Sequence, residues 1–429
     1  MYGGLFGYLG LCADIRYVTL NNVTVSGYQV AGSVAGFNNG SIRYARVNNV
    51  TISSAVAAGG IAGINDSRIF NCTVSGGSLG LNTNDSNCGV GGIAGINKCI
   101  VATVNVLGAL NICGNTGATV SVNVGGVCGH NTGSVTDAVV NTTGEIYLNG
   151  NSNGNIGGIV GTSQGSIIDA YFSGKLTAST TNKNVNVGGI VGYFIGGALD
   201  VVSKVGVTAA NIVGYAAGGI AGVISSTQKF LLNVTKYALG EIGIGTYCVN
   251  FDQCAVDASV SIKGSVAGGI ASLINGGVVV NSYAQAKISG VDKSSIVAGL
   301  VAEIQAHLNT LSYGTAGLMK QCYSACTFSG AGSKHAVTSS DIHVEGSARG
   351  SAGFIMNYLW DSTVSNGASA PENNWRKNAD YVAKATTEAL KAMKTYTAQL
   401  FKAAYWSFSN GYAKLNNINF ATLNRTLTD

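Results

Sequence analysis

Three carboxylates recur at one position of a repeated phrase. Asp137, Asp169 and Asp200 each lie twelve residues after the first glycine of GGVCG at Gly125 and of GGIVG at Gly157 and Gly188. Asn71 and Thr103 hold the same position in the two copies before them. Carboxylates stacked at about 5 Å repel, or raise one another's pKa, unless a cation or hydrogen-bond donors lie between them. Two chemistries use such a set: a calcium site built from oxygen ligands, or an acidic groove that handles or cleaves carbohydrate. The plainer reading is a turn or strand-end position that favours Asn and Asp, with the carboxylates capped by backbone N–H groups. Asp137, Asp169 and Asp200 are therefore the candidate ligand-binding residues, and calcium is the one cofactor the pattern allows.

Other catalytic constellations are poorly supported. GxSxG occurs as Gly76–Gly80 and Gly161–Gly165, but a nucleophile elbow needs a strand-to-helix turn that a strand-and-turn repeat does not supply. His130, His307, His335 and His343 stand in different contexts, and no HExxH-type spacing joins them. The array lacks the mix of Arg, Lys and aromatic residues that a sugar-cleaving cleft normally shows near its carboxylates. No catalytic residue and no metal ligand is expected.

Composition points to what carries these positions. The 429 residues include 62 Gly and one Pro, with 10% charged and 46% hydrophobic residues. That is too apolar for a disordered coil and too interrupted by Gly, Asn, Ser and Thr for a transmembrane helix. The net charge of +5 comes mostly from residues 372–429, so the main body offers no basic face to nucleic acid.

Cognates of GGIAG begin at Gly3, Gly32, Gly59, Gly91, Gly125, Gly157, Gly188, Gly218, Gly268, Ala298 and Ala352. Most successive offsets fall between 27 and 34 residues, and two are longer, at 50 and 54. Within each unit the glycines precede a short apolar run, a turn such as Asn38-Asn39-Gly40, and β-branched or aromatic segments such as Ser166–Phe172. Three short strands per 30 or so residues predict one rung of a β-solenoid. The expected fold is all-β, a right-handed parallel β-helix of ten or eleven rungs and roughly 50 Å at about 4.8 Å per rung. Six residues after the first glycine stand Asn38, Asn65, Asn97 and Asn131 in successive units. In register, they would form an amide ladder.

The unit GGIVGTSQGSIIDAYFSG at Gly157–Gly174 resembles the GLUG motif of repeats in large bacterial surface adhesins and related secreted proteins. Tyr358-Leu359-Trp360-Asp361, Thr386-Thr387-Glu388-Ala389-Leu390-Lys391, Trp406-Ser407-Phe408 and Gly411–Leu415 are similar to the segments that close such arrays, with Ala413 where the family often has proline. The resemblance spans nearly the whole chain and implies a β-solenoid, but it says little about ligand.

Domain boundaries follow. Residues 1–371 are expected to form the solenoid, with insertions near 227–265 and 310–350. Residues 372–429 are expected to form an α/β cap: a helix over about 378–404 lying on the last rung, its stripe Val382, Ala389, Met393, Tyr396 and Leu400, and then an aromatic strand. The N-terminus lacks the basic region of a signal peptide and reads as a repeat from Gly3, as in a mature form or fragment whose first rung stacks on further chain or another molecule. The ten cysteines include no CxxC, and Cys128 falls in a core slot. The expectation is an oxidising location with some disulfides. Nine sequons, at Asn22, Asn39, Asn49, Asn65, Asn71, Asn84, Asn141, Asn233 and Asn424, are acceptors only on a glycosylating secretory route. Together these features predict a non-catalytic structural or adhesive protein, outside the cell or on its surface. Its partners would be itself, by end-to-end or lateral stacking, or a host or cell-surface glycan or protein, with no nucleic acid and no membrane span. The alternatives are a glycan- or host-surface-binding module and, less favoured, a carbohydrate-active enzyme.

Overall fold

The computed structural model describes residues 1–429 apart from 84–87, 117–119, 151, 198, 227–248, 310–312, 340–353, 357, 366, 370–381, 393–394, 397–400, 409–410 and 428–429. One turn of the chain shows the design. Strands Cys88–Gly91, Ala94–Asn97 and Ile100–Thr116 pair in parallel with the turn below (Gly91 with Gly59, Ala94 with Ala62, Ile100 with Arg68). They pair in the same way with the turn above, at Gly125, Cys128 and Ser134. The chain is thus a parallel β-solenoid in which each turn climbs one strand spacing.

The repeated glycines are a packing requirement. A Cβ on Gly60 would lie 2.0 Å from the carbonyl oxygen of Gly92 in the next turn. Inside, every turn buries the apolar residue after the glycine pair, as in Ile61, Ile93, Val127, Ile159 and Ile190, all 0% exposed. Each such side chain contributes about 2 kcal/mol of burial.

The glycine slot runs in register through Gly32, Gly59, Gly91, Gly125, Gly157, Gly188, Gly218, Gly268 and Ala298 to His335. With the turn at Tyr2–Gly3 below Ala31, eleven turns are stacked. The expected anchor at Ala352 lies outside the described residues; the strand after it, Phe354–Met356, pairs with Leu318–Lys320. In the tenth of these positions His335 stands where most lower turns have glycine, and among the described residues it is bridged to Ser369 in the turn above.

The described residues of the expected helix 378–404 also differ from expectation; 378–381, 393–394 and 397–400, with Met393 and Leu400 of the stripe, lie outside them. Val382–Ala385 is a strand paired in parallel with Tyr358–Asp361. A one-turn helix, Thr387–Leu390, follows, its N-terminus capped by the Thr386 side chain, which accepts from Ala389 N. Pairing with an open sheet overrides the helical pattern. Leu390, Tyr396, Phe401, Trp406 and Leu415 pack against Ala255, Tyr283, Tyr323 and Leu359, on the flank of the solenoid. Buried Asp361 fixes this lobe: its carboxylate accepts from Tyr412 Oη at 2.6 Å, Thr387 Oγ1 at 2.7 Å and Thr363 N at 2.8 Å. The Tyr412 hydroxyl is raised to about 12 by burial and by that bond.

The expected disulfides are absent among the described residues, where nine cysteines are free; Cys248 lies outside them. The strand register gives the reason. Cys72 pairs with Val104, which pairs with Ala138, so its thiol fills a core slot instead of meeting another thiol. Burial pushes the thiols of Cys72, Cys322 and Cys326 up to about 12, and that of Cys128 higher still. They are inert packing groups at neutral pH.

Candidate functional site: a left-handed corner and the column beside it

The position that carries Asp137 and Asp169 is a corner where the backbone turns left-handed. Tyr17, Tyr44, Asn71, Thr103, Asp137, Asp169, Lys204, Gln253, Asn281 and Gln321 have φ between 45° and 58°. They lie at corresponding places in ten turns. Asn and Asp tolerate this region best, which explains the aspartates without a ligand. Asp200 is not in the column. Ile168 pairs with Ser203 and Tyr171 with Gly206, so Lys204 stands above Asp169. Extra residues precede Val202, and there Asp200 Oδ2 accepts from Gly197 N at 2.7 Å. The stacked carboxylates are therefore two, and Asp137 is paired with the Arg425 guanidinium.

The four asparagines do meet. Asn38 Nδ2 donates to Asn65 Oδ1 at 2.7 Å, Asn65 to Asn97 at 2.8 Å, and Asn97 to Asn131 at 2.8 Å. Asn131 donates to Ser163 Oγ at 3.1 Å, and that hydroxyl donates to Gly165 O. All five are buried, so the serine of GxSxG is spent in the ladder. Ser78 lies on the strand Arg68–Thr83.

Of the histidines, His130 and His335 have their pKa lowered by burial, and His335 Nδ1 sits 2.9 Å from Ser369 Oγ. His343 and the His307 side chain lie outside the described residues. Among those described, no three His, Cys, Asp or Glu side chains converge in a way that could hold a metal. Of the sequons, Asn65 is closed to modification by burial, Asn22, Asn49 and Asn424 are exposed, and Asn39, Asn71 and Asn141 are half-buried. Asn84 and Asn233 lie outside the described residues.

Two residues beyond the corner runs an outward column that the sequence did not single out. Strand register joins Arg46, Thr73, Asn105, Val139, Tyr171, Gly206, Ala255, Tyr283, Tyr323 and Leu359. The C-terminal lobe covers its upper part. The chain then turns at Asn416 and runs back down the same column. Tyr171 Oη donates to Asn417 O at 3.3 Å and accepts from Asn419 N at 3.1 Å. Phe420 meets Tyr171 edge-on, at 6.2 Å between centroids, above Gly206, where a Cβ would lie 2.7 Å from its ring. Leu423 is buried against Val139 and Tyr171. Arg425 donates to Asp137 O at 2.7 Å, Val104 O at 3.2 Å and Asn105 Oδ1 at 3.0 Å, besides its ion pair. Contacts separated by more than 200 residues leave no local pattern; Gly206, a glycine outside the repeated phrase, is the one signal among the seat's residues.

No family model and no curated protein matches this chain. A solved structure from Bacteroides ovatus, provisionally named an immunoglobulin A1 protease, matches over 88% of this chain and 87% of its own, with a TM-score of 0.41 at 14% identity. At that distance it carries no argument about activity here.

Proposed function

We propose that this chain is a non-catalytic structural or adhesive protein that works outside the cell or on its surface, as a rod that associates through its first turn. One observation carries the reading. Of the large apolar side chains exposed among the described residues, those on Met1, Tyr2, Leu5, Phe6, Tyr8, Leu11 and Tyr17 crowd one end, with Leu11 81% and Tyr17 62% exposed. Elsewhere only Ile100 and Leu199 are comparable. An apolar patch of this kind on a folded protein marks an association surface.

The resemblance to GLUG repeats supports the adhesive setting. No helix among the described residues is long and apolar enough to cross a membrane. Sedimentation velocity of the wild-type chain and a Leu5→Lys/Tyr8→Lys variant tests the proposal. Concentration-dependent association of the wild type, lost in the variant, is expected. Identical monomeric profiles at every concentration would overturn association through the first turn.

A further inference from the structure

The tail beyond Asn416 is held differently from the rest of the chain. At Asn416 it is tied to its own lobe, through Asn416 N on Tyr405 O at 2.8 Å and Asn416 Nδ2 on Ala403 O at 2.9 Å. From Asn417 onward, its described hydrogen bonds to the solenoid all use a side chain of one partner or the other. Gln253 Oε1 receives Asn417 Nδ2 at 2.6 Å, Asn141 Nδ2 reaches Leu423 O at 3.2 Å, Asn105 Nδ2 reaches Arg425 O at 3.2 Å, and Arg46 Nη2 reaches Leu427 O at 3.3 Å. The tail adds no strand to the sheet. It spans six rung spacings, roughly 29 Å at about 4.8 Å each.

These contacts form a reading frame. The column takes up the carbonyls of Asn417, Leu423, Arg425 and Leu427 on either side of and at the end of a short 3-10 helix, Phe420–Asn424, seats an aromatic ring over Gly206, buries a leucine between Val139 and Tyr171, and pairs an arginine with Asp137. Recognition of backbone and spaced side chains together is how grooves bind peptides. We propose that this column is a peptide-docking groove specific for the Phe-x-x-Leu-x-Arg pattern of Phe420–Arg425, and that the partner it accepts in trans is the tail of a second copy. Exchange of the two tails then links neighbouring rods side by side. The solenoid's own strand pairing does not involve the tail, so exchange leaves it intact, and the same contacts re-form between copies. In one molecule the tail's high local concentration favours the cis arrangement, so the test must weaken cis docking without weakening trans docking.

Charge reversal does this. Arg425→Glu sets a negative tail residue against Asp137, and Asp137→Arg sets a positive groove against Arg425, so each tail is repelled from its own column. Both are made in the Leu5→Lys/Tyr8→Lys background, which keeps association through the first turn out of the readout. Mixed, the acidic tail of the first variant meets the basic groove of the second. The expected result is two monomeric chains with fast hydrogen exchange over residues 416–427, and a 1:1 mixture whose light-scattering mass doubles as that exchange slows again. Should Asp137→Arg fail to fold, Gly206→Leu replaces it: leucine fills the Phe420 seat, leaving a native tail free for the unoccupied groove of Arg425→Glu. A mixture that stays monomeric with released tails overturns the proposal. So do single variants whose tails remain protected, because the segment is then an integral part of the fold.

Discussion

Replacing Asn97 by alanine tests the buried ladder most sharply. Its amide accepts from Asn65 and donates to Asn131 Oδ1 at 2.8 Å, to Ser134 O at 3.2 Å and to Cys99 O at 3.3 Å. Asn65 Nδ2 keeps two carbonyl acceptors, Ser67 O and Ile100 O, when Asn97 is truncated. Asn131 Oδ1 loses the amide that reaches it from the turn below and is buried. One orphaned buried acceptor costs about 1–3 kcal/mol, and the void left by the amide adds about 1 kcal/mol. The expected loss is about 2–4 kcal/mol. An internal control exists in Asn48, which donates to Asn21 across the same strand spacing, at 2.8 Å, but on an exposed surface. Asn48→Ala should cost under about 0.5 kcal/mol. Asn97→Ser should fall between the two, because Ser163 fills this slot natively and holds Asn131. Urea unfolding followed by circular dichroism reads all three as shifts in midpoint at unchanged slope. Equal midpoints for Asn97→Ala and Asn48→Ala would refute the claim that burial makes the ladder matter.

Further expectations follow from the same geometry. In the native chain, Ellman's reagent should titrate exposed Cys12 promptly and leave Cys72, Cys128, Cys322 and Cys326 unreacted until denaturant is added; rapid reaction of these four would contradict their core placement. Asp14, held at about 2 by hydrogen bonds from Arg16 and Arg43, should titrate near that value by NMR. Because its folded pKa is depressed, its stabilisation is complete above the ordinary carboxylate range and fades as pH falls towards 2; Arg43→Ala should move the titration back up. Thr103 is β-branched yet sits at φ 53°, so Thr103→Asn should raise stability by about 0.5–1 kcal/mol, read as a higher melting temperature; a fall would mean that the corner stores no strain.

The sequence made the solenoid legible wherever chemistry repeats with the turn. Gly60, Gly92, Gly126 and Gly158 sit where a Cβ would strike the neighbouring turn, and Asn38 to Asn131 sit where stacking joins one buried amide to the next. Legibility failed where stacking tolerates irregularity. Extra residues ahead of Val202 moved Asp200 out of a column it matched by counting, leaving Lys204 above Asp169, and His335 stands in a slot that the phrase marks as glycine. The strand Val382–Ala385 hid in a helical pattern because an open sheet edge decided its conformation. The tail was illegible, since Arg425 and Asp137 share no local spacing and meet only after the chain has folded back along its own flank.

The central functional claim is that an in-register rod associates through its apolar first turn. Negative-stain electron microscopy of the purified chain in physiological salt tests it most directly. Rods joined at their ends are expected, with a spacing along the axis set by the eleven-turn stack of roughly 50 Å and its lobe, and with dispersal of these assemblies by Leu5→Lys/Tyr8→Lys. Single rods at every concentration, or assemblies unchanged by that variant, would contradict it.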